Sequence, residues 1–197
     1  MHALIVVDVQ NDFCPGGALA VAEGHQIVPG INALMSDAGM VILTQDWHPA
    51  GHSSFASSHP DAEPMTVIDM PYGPQVLWPD HCVQGGPGAA FHPDLKTDRA
   101  AMIVRKGINP AIDSYSGFFE NDRKTPTGLH GYLQSHGVDR LTLVGLATDF
   151  CVSYTAVDAS ALGYSVEVRE DLCRAIDLDG SLKGARADMT AAGVRLV

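Results

Sequence analysis

The chain has 197 residues, of which 46% are hydrophobic, and this is enough for one domain with a single buried core. Twelve basic residues stand against 23 acidic ones, so the formal net charge is −11, and the basic residues form no cluster. This charge balance argues against nucleic acid and against an anionic membrane surface as partners, and it favours a small-molecule ligand.

The first segment, MHALIVVDVQ, contains a short apolar run without a basic leader or a small-residue cleavage site. It therefore predicts a first strand rather than a signal peptide. No apolar stretch approaches the roughly 20 residues that a membrane span needs. The four cysteines form no C-x-x-C pair, which disfavours a disulfide framework and a thiolate zinc site. We expect one soluble, cytoplasmic domain over residues 1–197.

Continuous apolar runs alternate with segments of helical periodicity along the chain. The predicted strands are residues 3–9, 40–45, 101–106, 141–146, 165–170 and 193–197, and the predicted helices are residues 24–38, 126–136, 149–162 and 180–192. Strands of this kind, separated by helices, are typical of a parallel sheet that is covered on both faces. The sequence predicts an α/β doubly wound domain.

The stretch 47–100 is the exception, because it is rich in His, Pro, Gly and Ser and shows little periodicity. A loop of this length inside a compact domain indicates a functional segment, or one held by a metal ion. We expect a metal-binding loop region at about residues 46–95.

In open parallel sheets the ligand site lies at the carboxyl ends of the strands. Asp8 lies at the end of the first predicted strand, Asp46 and His48 follow the second, and Lys106 ends the third. Cys151 lies in the turn between the fourth strand and the helix after it. These side chains are expected to meet at one edge of the sheet.

The position of Cys151 in a first helical turn, capped by Thr148 or Asp149, predicts a thiol whose pKa is lowered by the helix dipole. Asp8, which follows a run of apolar residues, could serve as the base, and Lys106 could hold the thiolate. The backbone amides of the turn could bind an oxyanion. Each residue alone also has an ordinary structural explanation, and their joint placement carries the prediction.

Asp46 and His48 are two residues apart, so in an extended chain their side chains face the same way, and WPDHCV brings His81 to the same loop region. Two histidines and one carboxylate suit Fe²⁺, Zn²⁺ or Mn²⁺. Additional candidate ligands are His52, His59 and His92.

Five ordered motifs together resemble the nicotinamidase/pyrazinamidase branch of the isochorismatase-like cysteine hydrolases. They are VVDVQNDFCPGGALAV (6–21), TQDWHPAGHSSFASSHP (44–60), LWPDHCVQGGPGAAFHPDL (77–95), VRKGINPAIDSYSGFF (104–119) and GLATDFCVSYTAVDA (145–159). The resemblance covers nearly the whole chain. It implies a three-layer α/β fold with a mostly parallel six-stranded sheet, and hydrolysis of nicotinamide, with pyrazinamide as a second expected substrate, in NAD salvage.

The resemblance also implies roles for individual residues. The catalytic set is Asp8, Lys106 and Cys151, and the metal ligands are Asp46, His48 and His81. Zn²⁺ is the expected ion, with Fe²⁺ or Mn²⁺ as alternatives. Phe13, Trp78 and Tyr115 would enclose the substrate ring, and the amides of Ala147 and Cys151 would bind the oxyanion. A cis peptide bond is expected between Ala147 and Thr148.

Two alternatives remain at this point. Relatives that hydrolyse ureido or carbamoyl substrates use a similar Asp, Lys and Cys set, but they usually lack the Asp-x-His and WPDHC features that occur here. A non-catalytic binding protein could also keep the fold, although an intact catalytic set argues against it. Exposed apolar loop residues allow a homo-oligomer.

Overall fold

A computed structural model describes all residues, Met1–Val197. The strands are β1 (His2–Val7), β2 (Val41–Asp46), β3 (Val67–Met70), β4 (Gly73–Val76), β5 (Met102–Lys106), β6 (Arg140–Leu146), β7 (Ser165–Arg174) and β8 (Arg195–Leu196). The α-helices are α1 (Val28–Asp37), α2 (Leu129–Ser135), α3 (Ser153–Ala161) and α4 (Ser181–Ala191). None of these helices combines the length and the apolar character needed to cross a bilayer.

The main sheet has six strands in the order β5-β2-β1-β6-β7-β8, and every neighbouring pair is parallel. The predicted α/β fold with a mostly parallel six-stranded sheet is therefore confirmed. Every residue of β2, and every residue of β1 after His2, is buried. Because successive strand residues point to opposite faces, this continuous burial means that both faces of the central strands are covered.

The strand order places β1 at the point where the direction of winding changes. From β1 the chain adds β2 and β5 on one side, and it then returns to add β6 on the other side. A crevice forms outside the carboxyl ends of the strands at such a switch point, and ligands bind there in this type of sheet. The residues that follow β1 and β6 therefore face each other across this crevice.

The predicted helices are confirmed, with differences at their ends. The first begins as a 3₁₀ turn, Gly24–Ile27, before α1. The second begins only at Leu129, since Pro126 and Gly128, the latter at φ +96°, precede it. The third begins as a π-helical turn, Thr148–Val152, that leads into α3.

The antiparallel hairpin of β3 and β4 is a feature that the periodicity of residues 47–100 did not indicate. Pro74 lies within β4 opposite Asp69. A proline in a sequence segment argues against a strand there, because proline has no N–H group to donate a hydrogen bond to the neighbouring strand. The proline is tolerated because a two-stranded ladder leaves one side of each strand unpaired. The rest of the segment is joined by isolated bridges such as His48 to Val83 and Phe55 to Trp78.

Candidate active site and metal centre

The predicted catalytic residues Asp8, Lys106 and Cys151 meet the predicted metal ligand Asp46 at the carboxyl edge of the sheet, beside the switch point. Asp8 directly follows β1, Asp46 and Lys106 are the last residues of β2 and β5, and Cys151 lies in the turn after β6. All of them are buried, with exposed fractions between 0% for Asp8 and 7% for Cys151. The strands are parallel, so their carboxyl ends lie at the same edge of the sheet, and the polar residues that end them lie close together.

Lys106 lies at the centre of this cluster. Its Nζ is 2.9 Å from Asp8 Oδ2, 3.0 Å from Asp46 Oδ1 and 3.4 Å from Cys151 Sγ. It also donates a hydrogen bond of 2.8 Å to the backbone oxygen of Ser114. Burial alone would lower the pKa of Lys106, but the carboxylates of Asp46 and Asp8 raise it well above its usual value. The ammonium group is therefore charged at neutral pH.

The two oxygens of the Asp8 carboxylate have different partners. Thr44 Oγ1 donates to Asp8 Oδ1 at 2.6 Å, whereas Oδ2 has only the ion pair with Lys106. Burial raises the pKa of Asp8 above that of an ordinary aspartate, and Lys106 opposes this by lowering it. A buried carboxylate with a raised pKa, next to the ammonium group that contacts Cys151, is suited to accept a proton.

The state of the Cys151 thiol differs from the expectation of a lowered pKa. Burial raises the pKa of Cys151 well above its ordinary value, Lys106 lowers it, and the nearby Asp8 raises it further. Desolvation disfavours the thiolate more than the neighbouring ammonium favours it. The thiol is therefore protonated in the free protein, so a nucleophilic role requires a base that removes its proton.

The turn that carries Cys151 also differs in two details from the sequence predictions. The cis peptide bond joins Leu146 to Ala147, one residue before the predicted Ala147 to Thr148 bond. Ala147 is the N-cap of the turn, and neither Thr148 nor Asp149 makes a capping hydrogen bond. The buried N–H group of Ala147 has no hydrogen-bond partner, so it is free to donate to an oxygen in the crevice.

Asp149 links the turn to the segment after β7. Its Oδ1 accepts a hydrogen bond of 3.0 Å from the N–H of Ile176, and its Oδ2 accepts bonds from the N–H of Asp177 and the hydroxyl of Ser181, at 2.7 and 2.5 Å. The Asp149 carboxylate therefore holds the segment that contributes Ile176 to the pocket beside Cys151. This role differs from the helix cap that the sequence predicts at Thr148 or Asp149.

The three predicted metal ligands form one buried group. Asp46 Oδ2 lies 3.0 Å from His48 Nε2 and 3.2 Å from His81 Nε2. The other ring nitrogen of each histidine lies against a backbone oxygen, that of Gly107 at 3.0 Å for His48 and that of Pro79 at 2.8 Å for His81. Because these oxygens can only accept, each Nδ1 carries a proton, and each Nε2 can offer its lone pair to a cation.

This donor set fits a divalent metal ion. One carboxylate and two imidazole nitrogens suit Zn²⁺ and other first-row divalent ions. The second oxygen of Asp46 pairs with Lys106, which fixes the orientation of the carboxylate. Gln10 fixes the backbone of Asp46, since its amide donates to the Asp46 oxygen and accepts from the Asp46 N–H, both at 2.8 Å.

A glycine is required where the backbone approaches His48. Gly107 has a φ of +67°, and a Cβ atom there would lie 2.4 Å from His48 Cε1 and 2.6 Å from its Nδ1. Only glycine fits this close contact without strain. The contact brings the Gly107 oxygen within hydrogen-bonding distance of His48.

The additional histidine candidates lie outside the Asp46, His48 and His81 group. His52 has both ring nitrogens occupied, by the Ser54 hydroxyl and the Asn109 oxygen, each at 2.8 Å. The ring of His52 packs against that of His48 with centroids 4.4 Å apart. His59 contacts the oxygen of Ser53, and His92 accepts from the N–H of Asp94.

A narrow, mostly apolar pocket opens next to Cys151. The predicted residues that line it are Phe13, Trp78, Tyr115, Ala147, Cys151, Asp46 and His81. The Trp78 Nε1–H donates a hydrogen bond of 3.1 Å to the Tyr115 hydroxyl. Asp8, Lys106 and His48 lie behind this lining rather than in it.

Four further lining residues were not predicted: Leu19, Asp113, Phe150 and Ile176. Phe150 directly precedes Cys151, and its ring packs edge-on against Trp78 with centroids 4.9 Å apart. Its position next to the predicted nucleophile was the one sequence signal that could have indicated it. The other residues come from irregular segments whose spatial position periodicity does not predict.

Comparison with known proteins identifies the family. The isochorismatase domain family matches residues 2–197. The chain is 54% identical over 195 residues to a nicotinamidase of Acinetobacter baylyi, covering 99% of this chain and 91% of the relative. It is 48% identical over 200 residues to a nicotinamidase of Escherichia coli, and the match covers 99% of this chain and 93% of the relative.

Solved structures agree with this match. A nicotinamidase/pyrazinamidase of Acinetobacter baumanii superimposes with a TM-score of 0.98 at 52% identity, covering 100% of this chain and 95% of that one. A yeast nicotinamidase bound to the inhibitor nicotinaldehyde superimposes with a TM-score of 0.93 at 32% identity, and the match covers 100% of this chain and 99% of that one. A Pyrococcus horikoshii pyrazinamidase in complex with zinc superimposes with a TM-score of 0.79 at 36% identity, and the match covers 100% of this chain and 98% of that one. This chain belongs to the isochorismatase domain family, within its nicotinamidase/pyrazinamidase branch.

Proposed function

We propose that this chain is a nicotinamidase that hydrolyses nicotinamide to nicotinate and ammonia in NAD salvage, and that it also accepts pyrazinamide. The observation that carries the proposal is the position of Lys106, whose ammonium group contacts both the Cys151 sulfur and the Asp8 carboxylate at the edge of an apolar pocket. The identities of 54% and 48% to two nicotinamidases, over 99% of this chain, support nicotinamide as the substrate.

In the first half of the reaction, Cys151 Sγ attacks the carbonyl carbon of the carboxamide while its proton passes to Asp8. The oxyanion that forms accepts hydrogen bonds from the N–H groups of Ala147 and Cys151. When the tetrahedral intermediate collapses, the carbon–nitrogen bond breaks and the proton on Asp8 goes to the departing nitrogen. Ammonia leaves, and the acyl group remains on Cys151 as a thioester.

In the second half, a water molecule gives a proton to Asp8 and attacks the thioester carbon. The carbon–sulfur bond breaks, Asp8 returns its proton to the sulfur, and the product leaves as the acid, which loses its remaining proton to solvent and becomes nicotinate. Lys106 stabilises the negative charge that moves between Asp8 and Cys151 in both halves. Splitting the hydrolysis of a poorly electrophilic amide into two steps lowers each barrier.

We propose that Asp46, His48 and His81 hold a divalent metal ion, with Zn²⁺ expected and Fe²⁺ or Mn²⁺ as alternatives. When bound, the ion supplies a Lewis acid for the nitrogen of the substrate ring. The two Nε2 atoms that face Asp46 Oδ2 support this assignment, as does the zinc complex of the Pyrococcus pyrazinamidase.

The pocket supports a flat aromatic substrate. Phe13, Trp78 and Tyr115 supply apolar ring surface, and we propose that they enclose the substrate ring. Such a lining offers few partners for a ureido or carbamoyl group, which needs several hydrogen bonds. The complete set of Asp8, Lys106 and Cys151 also disfavours a binding protein without catalytic activity.

We also propose a cytoplasmic location and self-association. The four cysteines are free and buried, which supports a reducing, cytoplasmic location. Self-association into a homo-oligomer stays a prediction from exposed apolar residues such as Val67 and Ile108.

The proposed function is tested by ammonia release from a panel of amides, with and without added Zn²⁺. Nicotinamide and pyrazinamide should be hydrolysed. Benzamide has the same shape but no ring nitrogen, so it should be hydrolysed poorly and show no dependence on metal. A ureido substrate should not react. Release from the ureido substrate alone, or no release from nicotinamide by the metal-loaded protein, would contradict the proposal.

A further inference from the structure

A second buried carboxylate lies beside the metal site, and the mechanism above does not use it. Asp113 is 2% exposed and lines the same pocket as Asp46 and His81. Its Oδ1 lies 3.9 Å from His48 Nε2, compared with 3.0 Å for Asp46 Oδ2. Ligand-type atoms of Asp113, His48 and His52 all lie within 4.8 Å of one another, although both ring nitrogens of His52 already contact Ser54 and Asn109.

The hydrogen bonds of Asp113 fix its orientation without neutralising its charge. Gln75 Nε2 donates to Asp113 Oδ2 at 2.7 Å, and the N–H of Ser114 donates to Oδ1 at 2.7 Å. No Lys or Arg side chain lies within 4.0 Å of the carboxylate. Both hydrogen-bond donors are neutral groups, so the group within 4.0 Å that can compensate the charge of Asp113 is the His48 imidazole at 3.9 Å, and this ring must be neutral when it binds a metal ion.

Gln75 is held in one orientation by its surroundings. It is fully buried in β4, and its NH₂ group must face Asp113 because a carboxylate can only accept. Its Oε1 accepts hydrogen bonds from the Tyr72 hydroxyl and from Asn121 Nδ2, each at 3.2 Å. The hairpin that the sequence did not indicate therefore supplies the residue that positions Asp113.

The charges of the buried cluster indicate what Asp113 does. The carboxylates of Asp8, Asp46 and Asp113 are buried, and Lys106 is the one buried ammonium group. Two negative charges therefore remain when all three acids are ionised, and uncompensated buried charge is unfavourable. A divalent cation cancels this excess, whereas without Asp113 the same cation would leave a net positive charge.

We propose that Asp113 is an outer carboxylate of the metal centre that increases the affinity for a divalent cation by its charge, held in place by Gln75. The inference rests on the metal site of the proposed function. Supporting groups behind metal ligands typically change metal affinity by about 10- to 100-fold when they are replaced. Asp113 contributes through the ion and its ligands, so it is a positioning residue rather than a catalytic one.

The test measures zinc affinity directly, by competition of the purified protein against a chromophoric chelator. Asp113→Asn is expected to weaken zinc binding by about 10- to 100-fold. The matched control is Asp158→Asn, which removes another buried carboxylate, one paired with Arg123 rather than facing the metal ligands. Zinc affinity of the control should equal that of the unmodified protein.

A double variant separates charge from hydrogen bonding. Gln75→Glu with Asp113→Asn keeps a hydrogen bond between the two positions but moves the negative charge away from His48. Zinc binding is expected to stay weak, and this variant also carries the test if Asp113→Asn alone unfolds. Unchanged affinity of Asp113→Asn, or full recovery in the double variant, would overturn the inference. Ammonia release by the unmodified protein tests the proposed function separately.

Discussion

Asp46 and Lys106 are register partners at the ends of the neighbouring strands β2 and β5, and their side chains meet with Oδ1 and Nζ 3.0 Å apart. The other oxygen of Asp46 faces the two histidines of the proposed metal site. One carboxylate therefore joins the proposed catalytic cluster to the proposed metal centre. A substitution in the catalytic cluster is therefore expected to change metal affinity, and removal of the metal is expected to change the surroundings of Lys106.

Replacing Cys151 by alanine should abolish ammonia release from nicotinamide, with kcat lowered by at least about 10³-fold, because no other group can form the thioester. The fold should be retained, since the change removes one small buried atom. Circular dichroism and thermal unfolding provide the control. Turnover at the rate of the unmodified protein would show that Cys151 is not the nucleophile.

Replacing Lys106 by methionine should destabilise the protein by about 3–5 kcal/mol, because it leaves two buried carboxylates without their cation. Denaturant unfolding measures this change. The double variant with Asp8→Asn should recover part of the lost stability, since one of the unpaired charges is then removed. A single variant as stable as the unmodified protein would mean that the ion pairs contribute little.

Removing the metal with a chelator should raise the KM for nicotinamide by at least about tenfold, equivalent to about 1.4 kcal/mol of binding. The reason is loss of the ligand for the ring nitrogen, while the apolar walls of the pocket remain. The far-ultraviolet circular dichroism spectrum at 25 °C should not change. An apo protein with normal KM would exclude the metal from substrate binding.

Replacing Gly107 by alanine should weaken metal binding, because the new Cβ would lie 2.4 Å from His48 Cε1 and displace the imidazole. It should also cost about 1–2 kcal/mol for a side chain at positive φ. The matched control is Gly137→Ala, at φ +64°, where a Cβ meets nothing within 4 Å. That variant should lose similar backbone stability and keep its metal affinity.

Most of the fold could be predicted from the chain, since the central strands are buried on both faces and therefore appear as continuous apolar runs. The same property located the candidate site, because polar residues that end such runs must lie at the carboxyl edge of the sheet. Asp8, Asp46, Lys106 and Cys151 meet there as expected.

Residues in the irregular segments could not be placed in this way. Asp113 and Gln75 come from a loop and from a proline-containing hairpin, where no period indicates which side chains point inward. Asp149 was one of two candidate helix caps, with Thr148, but its carboxylate accepts hydrogen bonds from a segment more than 25 residues later. Such long-range partners have no local signal in the sequence.

The chain by itself determined the order of the six strands of the main sheet and of the helices, the edge at which the reactive side chains gather, and the donor types of the metal site, because these depend on residue type and on local periodicity. Only the tertiary structure decided the ionisation of Cys151 and the surroundings of Asp113. Both depend on how much water is excluded and on which charges lie within a few ångströms, and these are properties of packing between distant segments.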